Sequence, residues 1–184
     1  MSVRSKGQNL PKRPKHDGIR VRGFFRVNLV EHDVEGNPYI VGDSGWQENT
    51  VVVTGKLHYL AMALGSVSGS KYVKRMALGT GAAPASNDTA LAGELSDRTG
   101  TANTANRISV GAANTAINGV SANVSFVGTW ASTNSFVTAT HNISNIAVLW
   151  TEDAAGTIFA GNTYNSSLLN TNQDVQATYA IQFS

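Results

Sequence analysis

The chain has 184 residues, no cysteine, 41% hydrophobic residues and only 14% charged residues. That length fits one domain with an unstapled hydrophobic core, and the missing cysteines exclude disulfides, thiolate metal sites and cysteine nucleophiles. The net charge of +2 is unevenly placed: residues 1–26 hold eight Lys/Arg against Asp17 alone, and the rest of the chain holds six against eleven acids, so the basic character belongs to the N-terminal end.

Residues 1–22 carry Gly7, Pro11, Pro14 and Gly18, almost no apolar side chains, and the cations Arg4, Lys6, Lys12, Arg13, Lys15, Arg20 and Arg22. Such a stretch cannot build a core. It reads as an extended basic arm whose seven cations meet a partner, followed by a single β domain over residues 23–184. The arm has no apolar h-region, so no secretory signal is expected, and no run of about 18 apolar residues predicts a membrane helix.

From Phe24 the pattern is aromatic and β-branched: Phe24, Phe25, Val27, Leu29 and Val30 form a strand. Glu35-Gly36-Asn37-Pro38 is a turn, and Tyr39, Ile40 and Val41 complete a hairpin. Gly42-Asp43-Ser44-Gly45 is a second turn with Trp46 at its exit. After a short apolar run at 50–53, Thr54 is a plausible N-cap. Leu57, Leu60, Ala61 and Leu64 then share one helical face, and Gly65 stops the helix, which predicts one short helix at about 54–64. Val73, Met76, Ala77 and Leu78 suggest a buried strand.

Residues 79–105 read as a long loop, with a helical turn expected at 91–95. Long loops in compact domains are usually functional or packed on a partner. Leu78, Leu91 and Leu95 are expected to pin this one, and Glu94 to pair with Arg98 at i, i+4. From Asn106 onward the chain reads as β. Val120, Ala122, Val124, Phe126 and Trp130 alternate with polar neighbours. Val175, Ala177, Tyr179, Ile181 and Phe183 alternate with Gln176, Thr178, Ala180 and Gln182, the pattern of a half-buried strand. Eight to ten short strands without βα alternation predict a mainly β protein, an antiparallel β-sandwich or jelly roll.

Candidate chemistry is thin. Gly79-Thr80-Gly81 lacks the third glycine and the Lys-Ser/Thr of a phosphate loop and reads as a tight turn. His16, His32, His58 and His141 are scattered without metal-ligand spacing. His32-Asp33 and the carboxylates Glu31, Asp33 and Glu35 read as solvated residues at a strand end rather than as a base or an acid pair. Trp46, Trp130 and Trp150 suit core caps better than a sugar platform. No catalytic residue, cofactor or metal is assigned. The arm has no interleaved aromatic residue for base stacking, so docking on an acidic protein surface is favoured over nucleic acid, although phosphate binding by its cations is chemically open.

One resemblance adds to this reading. Residues 41–98 run Asp43-Ser44-Gly45-Trp46, Asn49, Val51-Val52, Thr54-Gly55, Met76-Ala77-Leu78-Gly79-Thr80-Gly81, Pro84, Asp88-Thr89-Ala90-Leu91, Glu94 and Arg98, and residues 174–184 form a closing strand. This pattern resembles small virion structural proteins of tailed bacteriophages. The resemblance implies a virion component made in the host cytoplasm, with no catalytic residues to carry over. A capsid decoration (cement) protein on the major capsid protein is the first expectation. A homo-oligomer, with a trimer favoured, is expected from the weakly charged surface. A tail, baseplate or fibre-attachment protein is the alternative, and a carbohydrate-binding module the least favoured.

Overall fold

A computed structural model describes residues 21–52, 73–96, 106–110, 112–118, 121–150 and 158–183. Ten strands account for most of them: β1 (Val21–His32), β2 (Pro38–Asp43), β3 (Gln47–Val51), β4 (Arg75–Gly79), β5 (Ile108–Ser109), β6 (Ala112–Asn118), β7 (Ser121–Trp130), β8 (His141–Leu149), β9 (Ile158–Leu169) and β10 (Asp174–Phe183). The expected mainly β, antiparallel architecture is found. The expected helix at about 54–64 and arm residues 1–20 lie outside the described residues. β1 begins at Val21, so Val21 and Arg22, assigned by sequence to the arm, belong to the sheet.

The strands form one continuous antiparallel path, β5-β4-β8-β9-β3-β1-β10-β7-β6, with β2 beside β1. The path folds over at β3. Residues Gln47, Glu48 and Asn49 pair with Phe25, Phe24 and Gly23 of β1, whereas Thr50 and Val51 pair with Gly161 and Ala160 of β9. One short strand therefore serves two layers. On the opposite side, residues 106–110 bridge the gap. Val110 N–H donates to Lys74 C=O at 2.9 Å, and the Trp130 indole donates to Asn106 C=O at 2.9 Å. Ile108 stands over Gly128, where a Cβ would overlap its side chain. The result is nearly closed and barrel-like.

The interior is filled from both layers: Phe25 and Val27 of β1, Trp130 of β7, Ile146 and Val148 of β8, and Tyr179 of β10 all belong to one buried cluster. Phe25 meets Tyr164 edge-on at 5.9 Å and stacks on Tyr179 at 6.1 Å. Burial pushes both tyrosine hydroxyls' pKa upward. Trp130 and Trp150 are buried, as expected of core caps.

The two layers differ in their outer faces. Among the described residues no segment covers the β1-β10-β7-β6 layer there, and inward Val175, Ala177, Tyr179 and Ile181 alternate with outward Gln176, Thr178, Ala180 and Gln182. The β4-β8-β9 layer is covered on its outer face as well. A second cluster of Val52, Ala77, Leu91, Ala147, Leu149 and Ile158 lies there, and every residue of β4 is buried.

The cover is the loop 80–96. The expected helical turn at 91–95 is instead a pair of close backbone contacts. Thr80 N–H donates to Gly93 C=O at 2.9 Å, and Leu95 N–H donates to Leu78 C=O at 3.0 Å. Gly81 packs so closely on Ala92 that a Cβ would overlap the backbone, and Gly93 sits at φ +62°, a conformation that favours glycine. The Gly79-Thr80-Gly81 glycines thus serve close chain approach. Leu78, Leu91 and Leu95 pin the loop as expected. Glu94 pairs with Arg107 across the closure; its expected partner Arg98 lies outside the described residues.

Candidate functional site

Two surface features stand apart from the closed body. The first is the tip of the β1–β2 hairpin. Asp33 builds the turn: its Oδ1 accepts from Glu35 N–H at 2.9 Å and Asn37 N–H at 2.8 Å, and its Oδ2 accepts from Asn37 Nδ2 at 3.0 Å. Those donors favour the carboxylate and lower its pKa. Glu31 accepts from Gln173 Nε2 at 2.7 Å and from the Tyr39 hydroxyl at 2.8 Å, which lowers its own pKa and raises that of Tyr39. His32 Nε2 lies 3.7 Å from Asp174 Oδ2. The acids expected at a solvated strand end are there, each engaged in holding the hairpin.

What the hairpin holds out is apolar. Val34 is fully exposed, Ile40 is 55% exposed, and Tyr39 and Val41 are exposed beside them. Among the described residues β2 pairs with β1 alone, and its other edge has no strand partner. A sheet edge with exposed apolar side chains is a pairing surface that isolated proteins normally blunt with charge.

The hairpin's base is clamped by charge. Arg26 donates from Nε to Asp43 Oδ1 at 2.9 Å and from Nη2 to Oδ2 at 2.5 Å, and Gly45 N–H also donates to Oδ1 at 2.9 Å. These hydrogen bonds bring the Asp43 pKa down to about 2. A carboxylate with a depressed folded-state pKa contributes stability above its ordinary value near 4 and loses it as pH falls toward about 2. A carbon-13 NMR titration is expected to give Asp43 a midpoint of about 2. Arg26→Ala is expected to raise that midpoint toward the ordinary carboxylate range, and an ordinary midpoint in the unaltered protein would contradict the clamp.

The second feature is a groove of about 470 Å³ on the outer face of the β1-β10-β7-β6 layer. Phe24 of β1 and Trp46, just before β3, stand against Asn123 and Ser125 of β7 and Thr178 and Gln182 of β10. Trp46 is 54% exposed. This corrects the expectation that all three tryptophans cap the core: Trp46 leaves the Asp43-Ser44-Gly45 turn before the strand parity of β3 is set, and only its position in space reveals an outward ring. The described cations on this face, Arg22 and Arg26, are each paired. Arg22 donates to Glu48 Oε1 at 2.9 Å and lies 5.3 Å from the Phe24 ring centre, and Arg26 is held by Asp43. Hydrogen bonding to Glu48 raises the Arg22 pKa.

Compared with known protein families, curated proteins and solved structures, the chain matches none. Of the residues assigned to partner binding by sequence, Arg4, Lys6, Lys12, Arg13, Lys15 and Arg20 lie outside the described residues, and Arg22 is a sheet residue paired to Glu48. Among the described residues no group of three or more His, Asp or Glu side chains is gathered to hold a metal ion. Among the described residues no helix is long and apolar enough to cross a membrane. Sequence reading missed the hairpin tip as a surface, because exposed apolar residues on a short strand carry the same pattern as buried ones.

Proposed function

We propose that this protein is a structural subunit of a tailed-bacteriophage virion, a decoration protein that binds the major capsid protein as a homo-oligomer and reinforces the shell. The observation that carries the reading is the β1–β2 hairpin: Val34 in its turn and Tyr39, Ile40 and Val41 on β2 are all exposed. Exposed apolar side chains gathered on one hairpin mark a contact for another macromolecule, and the outer edge of β2, unpaired among the described residues, offers ladder hydrogen bonds to an added strand. The resemblance of residues 41–98 to phage virion proteins supplies the setting. The basic arm adds sequence-independent attraction to an acidic surface, each exposed cation adding little alone. The tail or fibre-attachment role stays as the second reading, favoured by the same hairpin if copy number is low.

The test is reconstitution on particles that lack this subunit. The triple variant Val34→Asn, Ile40→Thr, Val41→Thr is expected to fold, because none of the three side chains is in the core, and to lose particle occupancy at least about tenfold, a change of about 1.4 kcal/mol in binding. Full occupancy by the variant would remove the hairpin from the interface. Densitometry of purified virions separates the roles: copy number near that of the major capsid protein supports decoration, and a far smaller number supports the tail.

A further inference from the structure

We infer that the groove between Trp46 and β7 is a binding site for a neutral polysaccharide chain, a function beyond the assembly role and independent of it. The argument starts from what the lining offers. A pyranose ring has an apolar face of C–H groups and a rim of hydroxyls that both donate and accept. An exposed indole supplies a flat apolar surface for the first. Asn123 and Gln182 side-chain amides each donate and accept, and the hydroxyls of Ser125 and Thr178 do the same, which answers the second. All of these line one groove of about 470 Å³, a volume in the range of small-ligand sites.

Charge decides against other occupants. Among the described residues no acidic or basic side chain lines the groove. At its rim Arg22 is paired with Glu48, and Arg26 with Asp43, so these rim charges balance one another. A basic segment finds no unpaired acid among these rim residues, and a nucleic acid or acidic glycan finds no unpaired cation among them. A neutral, polyhydroxylated chain is what an uncharged, donor-and-acceptor-rich lining accommodates without leaving an ion desolvated. The floor fits the same ligand: Ala116 and Ala180 are small residues on this face, and they leave room beside the aromatic walls.

The probes are maltohexaose, cellohexaose, mannohexaose and chitohexaose, each added to the full chain at up to about 10 mM, where a weak single-site complex is well populated. Amide and indole NMR shifts are the readout. At least one probe is expected to shift Trp46, Asn123, Ser125 and Gln182 together, without dependence on salt. Trp46→Ala is expected to weaken that binding at least about tenfold while leaving the amide spectrum of β8, in the other layer, in place, since the ring is exposed and outside the core. Gln182→Ala is expected to weaken it less and acts as a second, independent variant. Silence of the groove resonances with all four sugars would overturn the assignment. So would shifts that survive Trp46→Ala. Groove shifts that grow with protein concentration in the absence of sugar would also overturn it, by making this face a contact between copies. None of these outcomes bears on particle occupancy, so the virion reading stands or falls separately.

Discussion

Arg107→Met is expected to destabilise the fold by about 3 kcal/mol, the cost of leaving one member of a buried ion pair without its partner. Arg107 is 2% exposed and grips Glu94 through both Nε and Nη2, the latter at 2.8 Å. The pair spans two parts of the chain with little regular structure. Glu94 lies in the covering loop and forms the isolated bridge to Gly79. Arg107 lies in the segment that closes β4 against β7. Removing the guanidinium leaves the Glu94 carboxylate, whose side chain is 19% exposed, poorly solvated and unpaired. For a protein of this size the midpoint of thermal unfolding is expected to fall by about 6–12 °C. The double variant Arg107→Met, Glu94→Leu is expected to recover much of the loss, because two apolar groups satisfy each other where one charge cannot. Denaturant unfolding of the four proteins gives the coupling directly. A single variant within about 0.5 kcal/mol of the parent would show the pair to be solvated rather than structural.

The same contrast between open and covered surfaces explains what was readable from sequence. β10 announced itself because one face of its layer is wet, so Val175 to Ile181 alternate with polar residues. β1 was readable for the same reason at Phe25, Val27 and Leu29. In the other layer both faces are dry, and strands there lose alternation. β4 reads as an apolar run, Met76-Ala77-Leu78, with Met76 and Leu78 in the main core and Ala77 in the second cluster. β8 adds a register shift between Ile143 and Asn145, which reverses parity. Ile143 and Ile146 consequently face the same core, while Ala147 and Leu149 face the loop.

Long-range partners were the hardest to read. Glu94 has Arg98 at helical spacing, but residues 91–95 do not form a helical turn, and the acid instead meets Arg107, 13 residues away. Local spacing carries no information about a contact made by chain closure. Trp46 illustrates the converse for the groove. Its lining comes from β1, β6, β7 and β10 together with the turn before β3, and only the order in which those strands lie side by side brings an indole opposite Asn123 and Gln182.

Asn145→Leu is expected to release the covering loop and to cost about 3 kcal/mol, from two backbone carbonyls each losing a buried donor. Asn145 is fully buried in β8, opposite Gly79. Its Nδ2 donates to Ala82 C=O at 3.1 Å and to Ala92 C=O at 2.9 Å. One amide thereby ties together both ends of the loop where they run side by side. Gly79 is required by the same contact, since a Cβ there would overlap Asn145 Oδ1. Leucine keeps the branched shape, is larger and supplies no donor, so crowding against Gly79 adds to the cost of the lost hydrogen bonds. The loss should be local before it is global. Hydrogen exchange is expected to speed up first at Thr80 and Leu95, whose amides bond within the loop contact, while amides of the β1–β10 ladder stay slow. Lifting the loop uncovers Val52, Leu91, Leu149 and Ile158, so a hydrophobic dye should bind the variant below its main unfolding transition. Uniform acceleration across the protein would show instead that the loop and the barrel unfold as one unit. The Arg107 variant probes the same attachment from its other end. Because both variants loosen a single segment, their combined cost should fall short of the sum of the two, by an amount of order 1 kcal/mol.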